Sequence, residues 1–453
     1  MIWGPWRPQQ RIFDGEGQGT LGTQCPKALS STQPATIRVV LDGVKLRFNK
    51  YQILESVTGL TMRTLIPLLF VALLLGCDSR LERFQRNSVH ALTLAASRGV
   101  ETQSAAADVD AVVHDLFGSP EEPKWPAELL GPDLAAVVDL QNLERAAGRV
   151  SSDQMDNHKG LYIENCVTCH GLDGSGAGPA AMVQNPYPRD FRSGVFKWKS
   201  TARSEKPTRE DLQNLLINGV PGTGMPSFAA SKSEDREALI DYLIYLSIRG
   251  ETERRLLAEC VDEIGYDDQD PLPDDQRLNR GHDSVRATLR YVTASWVSAD
   301  PKTVAVPGPT FDADSGLQES IARGKDIFHS QIANCVGCHG PEGNGKAITL
   351  DYDDWAKEYT SRIGITPSDR DAVKPFRKAG ALRPRQIKPR NLQLGNFRGG
   401  GSGVNLYHRI SQGIAGTPMP AITVSDTEST KGLSNDQVWD LIHYVQSLSN
   451  RTN

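Results

Sequence analysis

Two short runs constrain this chain more than anything else in it: Cys166-Val167-Thr168-Cys169-His170 and Cys335-Val336-Gly337-Cys338-His339. Each belongs to an ordered series of matching blocks. Gly160 and Tyr162 precede the first run, as Gly324 and Phe328 precede the second. Downstream, Pro188-Arg189-Asp190-Phe191 matches Pro389-Arg390-Asn391-Leu392, and each is followed by a Gly and a Phe. Residues 219–226 then match 413–420, both containing Gly-Thr-x-Met-Pro. Each series closes on an apolar, aromatic stretch with helical spacing, 237–248 and 435–448. Blocks that recur in one order mean a duplicated domain.

Cys-x-x-Cys-His is the attachment signal for covalent haem. Two thiols about one helical turn apart add to the two vinyl groups, and the next residue, His, reaches the iron from the same side. Cys166, Cys169, Cys335 and Cys338 are therefore the attachment residues, with His170 and His339 on the iron. Structural zinc or a redox dithiol is the rival reading. Zinc would need further Cys or His at close spacing, and neither repeat offers a clear pair. Of the seven cysteines, Cys25, Cys77 and Cys260 remain. That is too few for a disulfide scaffold, and Cys260 reads as a small buried apolar residue on a helix.

On these blocks both repeats resemble class I c-type cytochrome domains. That family has a first helix with a Gly and an aromatic ahead of the motif, a Met ligand before a Pro in a loop, and a final helix crossing the first. The resemblance implies an all-α fold, with two helical haem domains in tandem, and two covalently bound haem c groups. It implies His170 with Met225, and His339 with Met419, as axial pairs. In both Met segments Gly lets the backbone turn tightly and Pro fixes the exit. Met182 has no counterpart and reads as packing. His158 and His329 read as locally hydrogen-bonded side chains rather than ligands. Arg189 and Arg390 are the candidates for pairing with haem propionates, as charge-assisted donors to carboxylates.

The second repeat carries an insert: 51 residues separate His339 from Arg390, against 19 between His170 and Arg189. Residues 344–390 hold 11 Lys/Arg and 6 Asp/Glu. Such a segment reads as a solvated loop or as a docking face for an acidic redox partner.

A chain of 453 residues exceeds one core and suggests two or three domains. At 38% hydrophobic and 23% charged it is neither a polytopic membrane protein nor a disordered tail. A net charge of −5 speaks against a nucleic-acid binder. The haem domains are expected at 153–250 and 317–453. Residues 77–152 read as a helical spacer. Residues 251–316, with 14 acidic and 7 basic groups, read as an acidic linker.

Residues 1–61 lack a clear apolar period and read as a misannotated extension, with translation starting at Met62. Residues 62–76 have the form of an export signal: Met62-Arg63, an apolar run over 65–75, then Leu74-Leu75-Gly76-Cys77. As a helix the run spans about 16 Å, short of a bilayer core of about 30 Å. Its ending resembles a bacterial lipoprotein signal. The resemblance implies a lipidated Cys77 as mature N-terminus and a lipid anchor on the periplasmic side of the cell membrane.

His/Met ligation fills both axial positions, and a thioether raises the reduction potential. The expected function is a membrane-anchored dihaem electron carrier between a redox protein donor and a redox protein acceptor of a respiratory chain, outside the cytoplasm. No catalytic residue, nucleic acid or small-molecule substrate is expected. A dihaem peroxidase is the enzymatic alternative and needs an open or displaceable axial position with an acid/base group nearby. A cytochrome subunit of a terminal oxidase or dehydrogenase complex is the other.

Overall fold

The computed structural model describes residues 36–41, 44–49, 83–155, 157–310, 316–346, 350–425 and 431–449. The expected signal at 62–76 and the anchor Cys77 lie outside them. Residues 1–79 and 80–453 form separate units. In the first, β1 (Thr36–Leu41) and β2 (Val44–Asn49) pair antiparallel, with Thr36 opposite Asn49. The signal missed here is local: β-branched residues flank Asp42-Gly43, a pair that favours a tight hairpin.

The second unit is all-α, with two-residue ladders only beside its helices. Its first half holds α1 (Ser88–Arg98), α2 (Gln103–Phe117), α3 (Leu140–Ala146), α4 (Leu161–Asn165), α5 (Arg209–Asn218), α6 (Ser233–Glu259) and α7 (Asp283–Val297). Helix α6 has 27 residues, so it is about 40 Å long. Its middle is apolar nearly all round, from Ala238 to Ile248, so several elements must cover it. They are α2 through Val109 and Val113, α3 through Leu143, α5 through Leu212 and α7 through Leu289 and Val292.

The segment read as a spacer and the later part of the one read as a linker thus share one core with the first haem repeat. Helix α7 buries Val285, Leu289, Val292 and Trp296, a single helical stripe hidden in an acidic average. The acidic loop before it is tied down as well. Asp268 accepts from the backbone N–H of Ser104 at 2.9 Å, and Arg277 pairs with Asp108 at 2.7 Å. The helix that leads into the first motif is short, because it starts only after Gly160 (φ 81°), which ends the small ladder between α3 and α4. Both lie against α6.

The second half holds α8 (Leu317–His329), α9 (Asp354–Glu358), α10 (Arg370–Lys378), α11 (Gly403–Gln412) and α12 (Asn435–Ser447). Helix α12 opens on a capping box between Ser434 and Gln437 and buries Val438, Leu441, Ile442 and Val445. Helices α8 and α12 cross at Gly324, where a Cβ would lie 1.9 Å from the carbonyl oxygen of Asp440. Only glycine lets the backbones meet so closely, as the resemblance implied for first and last helices.

The insert is no solvated loop. Helices α9 and α10 gather Tyr359, Val373, Phe376 and Ala381 into a small core that also takes Val89 of α1. The guanidinium of Arg385 stacks 3.9 Å from the ring centre of Tyr187 and donates to the carbonyl of Gln184 at 2.6 Å. The insert therefore bridges the second repeat to the first. Among the described residues no helix is long and apolar enough to cross a membrane.

Candidate haem sites

Both attachment motifs close into one short helical turn, Val167–His170 and Cys335–His339. Each turn stops at a glycine with φ 75°, Gly171 and Gly340. None of the four cysteines is in a disulfide. Burial pushes the Cys166 and Cys335 thiols up to about 12. Cys169 is half-buried and Cys338 exposed.

The histidines that follow are fixed identically. Nδ1 of His170 lies 3.0 Å from the carbonyl oxygen of Arg189, and Nδ1 of His339 lies 3.0 Å from that of Arg390. A carbonyl only accepts, so Nδ1 carries the proton and Nε2 keeps its lone pair, as a metal ligand must. Burial lowers His170 to about 4 and holds His339 below its ordinary value, so both rings are neutral at pH 7. The Pro-Arg block of each repeat thus supplies its histidine with an acceptor. Gly176 and Gly345 bring that block close, since a Cβ on either would lie 2.6 or 2.7 Å from the carbonyl oxygen of Pro188 or Pro389.

The methionine segments share one hydrogen-bond frame. The N–H of Val220 donates to the carbonyl of Met225 at 3.1 Å, and that of Ile414 to Met419 at 3.2 Å. The Thr223 and Thr417 hydroxyls each donate 2.8 Å back to the Val220 and Ile414 carbonyls, and accept from the N–H of Met225 and Met419. Both methionines are half-buried, and Met225 packs on the first core. Met182, by contrast, is 56% exposed. His158 and His329 have both ring nitrogens in local hydrogen bonds: Ser152 and Glu164 for the first, the carbonyls of Lys325 and Pro341 for the second.

The two repeats face each other through equivalent residues. Arg390 of the second reaches Gly222 in the Met225 loop, where a Cβ would sit 2.7 Å from its Nη2. The equivalent Arg189 of the first reaches Gly416 in the Met419 loop, at 3.2 Å from its Nη1 on the same test. Trp198 lies over its own equivalent position, Gly399. Around this contact gather Arg189, Lys197, Arg390 and Arg398, two equivalent pairs. Burial and then the charge of Arg189 push Lys197 down to about 7, and burial and then Arg390 lower Arg398. The buried Nε atoms of Arg398 and Arg409 and the Nε1 of Trp198 have no hydrogen-bond partner. Crowded cations with idle donors fit an acidic group, and haem propionates are such groups.

The residues therefore fit covalent haem: thiols, an oriented neutral imidazole, a half-buried thioether and waiting cations. Lys197, Trp198, Arg398 and Arg409 are missed by sequence reasoning. Lys197 and Arg398 do occupy matching positions after the Pro-Arg block, and that match was the available signal. Among the described residues no cluster of three or more His, Cys, Asp or Glu side chains is arranged to hold a metal ion.

Residues 321–449 match the family model for cytochrome c, and residues 153–243 that for cytochrome c oxidase, cbb3-type, subunit III. No curated protein matches the chain. A solved structure of the reducing HAO-like protein complex of Kuenenia stuttgartiensis is similar at 24% identity, with 66% of this chain and 99% of that chain covered and a TM-score of 0.41. The family matches fall on the two repeats and indicate a c-type cytochrome, which implies covalently bound haem c and electron transfer.

Proposed function

We propose that the protein is a lipid-anchored dihaem electron carrier that passes single electrons between respiratory partners outside the cytoplasm. Bound haem iron supplies the reversible one-electron couple. The chain supplies everything that keeps the couple simple. His170 and His339 would hold one face of each iron, and Met225 and Met419 the other. With both faces taken by side chains, neither oxygen nor peroxide has a place to bind. The observation that carries this reading is the identical frame of the two Met loops, which leaves neither repeat specialised as an open site. The anchor rests on residues 62–77, where Cys77 follows the apolar run.

A redox titration of the periplasmically expressed protein, followed by absorption spectra, tests the reading. Two low-spin centres that survive acid-acetone extraction are expected. One centre lost, or a high-spin ferric signal with rapid reaction toward peroxide, would reverse it in favour of a peroxidase. Fatty-acid labelling that disappears in Cys77→Ser would support the anchor.

A further inference from the structure

The loop that carries Met419 is held from the other repeat. Arg203, in the first repeat, donates through Nη1 to the carbonyl of Met419 at 2.9 Å and through Nη2 to that of Thr417 at 3.2 Å. The guanidinium also lies in the hollow beside Gly413, where a Cβ would come within 2.5 Å of Nη1. The reverse contact is weaker. Arg398 of the second repeat reaches the Gly222 carbonyl of the Met225 loop only at 3.5 Å.

The asymmetry has a sequence cause. Eleven residues separate Phe196 from the N-cap Thr208, whereas four separate Phe397 from the N-cap Ser402. Arg203 lies in the seven extra residues of the first repeat. That stretch is itself anchored. Lys302 pairs with Glu205 at 2.7 Å, and Thr201 bridges to Thr303. Arg203 is therefore presented from a fixed edge rather than a free loop.

We propose that Arg203 is a positioning residue for the axial methionine of the other repeat: it holds the Met419 loop so that the thioether stays on the second haem. This rests on Met419 being the ligand. Two charge-assisted hydrogen bonds to one short loop are enough to shift an equilibrium between ligated and open forms by about tenfold or more. The Met225 loop has only the longer Arg398 contact, so the first haem's methionine should be the easier one to displace.

The test is imidazole binding to the ferric dihaem protein, read from its absorption spectrum. Arg203→Ala should tighten imidazole binding at one haem about tenfold. In a Met419→Ala background the same substitution should have no further effect, because the loop then holds no ligand. Arg203→Lys, which keeps the charge and can reach one carbonyl, should fall between. Unchanged imidazole affinity in both Arg203 variants, or tightening that persists in Met419→Ala, would overturn the proposal. If Met419→Ala itself alters neither spectrum nor imidazole binding, the ligand assignment fails instead.

Discussion

Nδ1 of His170 donates to the carbonyl oxygen of Arg189, 3.0 Å away and 19 residues further along the chain. The bond makes the imidazole more electron-rich and so favours ferric iron. It depends on Gly176, whose φ of 71° and missing Cβ let the block approach. Gly176→Ala should strain that turn by about 1–3 kcal/mol and lengthen the bond. The first haem's potential should then rise while the second stays put, as a redox titration would read. Equal shifts in both haems would show that the carbonyl is not tuning its own histidine.

Met225→Ala and Met419→Ala should each remove one thioether-to-iron charge-transfer band at the red end of the ferric spectrum. Each should also lower one potential, because the lost ligand favours ferrous iron. The bands should vanish one at a time and both together in the double variant. If neither changes the spectrum, His158 and His329 become the next candidates.

Gly324→Ala inverts an ordinary expectation. In a helix interior this change usually stabilises by about 1 kcal/mol. Here the new Cβ meets the Asp440 carbonyl oxygen at 1.9 Å, so α8 and α12 must separate. Overpacking of this kind costs about 1–3 kcal/mol. Denaturant unfolding should show the second repeat weakened. A stabilised second repeat would mean that the helices slide apart without penalty.

The insert's attachment should be acid-labile. Glu358 of α9 sits between His90 of α1 and Arg254 of α6. Burial alone would raise its carboxyl, but the His90 hydrogen bond and the Arg254 charge overcome that and hold it at about 2, against an ordinary 4.5. A depressed carboxyl stabilises fully above the unfolded value and loses that as pH falls from 4.5 through about 2. The shift corresponds to at most about 3 kcal/mol. Burial lowers His90 too, so it adds a loss in the same direction, starting as pH falls below 6.5. Hydrogen-exchange protection across 354–378, taken relative to the intrinsic rate at each pH, should therefore fall on acidification, and Glu358→Gln should show much of that loosening at pH 7. Protection that stays constant down to pH 3 would exclude this contact as the clasp.

The repeated motifs on which the haem reading rests were the most legible part of the chain because the chemistry they imply is local. Thiols one turn apart and a Met beside Pro must be neighbours in sequence to do their work. The helices outside the repeats were harder to read. Helix α7 hides four apolar positions in a segment that is acidic only on average, and α3 has only seven residues, too few for a clear period. The contact between the repeats left almost no trace. It is made by arginines meeting glycines, Arg390 with Gly222 and Arg189 with Gly416, and neither residue type announces burial. Duplication made the equivalent positions visible, but not that they would turn toward each other.

That geometry also changes which charges are available to a partner. Arg385 and Arg390 of the basic insert are engaged on Tyr187 and the Asn396 carbonyl. Lys374, Lys378, Arg383 and Lys388 remain exposed. Lys374 and Lys378 stand one turn apart on α10, and Lys388 closely precedes Arg390, whose carbonyl holds His339. Transient redox encounters bury little surface, so long-range charge governs how often they form. A cationic face tied by one short segment to the second histidine is suited to guide an acidic acceptor toward that domain. Lys374, Lys378 and Lys388 changed together to Glu should slow electron delivery at low ionic strength without altering either haem spectrum. The defect should shrink above about 0.3 M salt, as screening shortens the reach of each charge to a few ångströms. An unchanged bimolecular rate at low salt would place the docking face elsewhere, with the lysines serving only to keep the insert solvated.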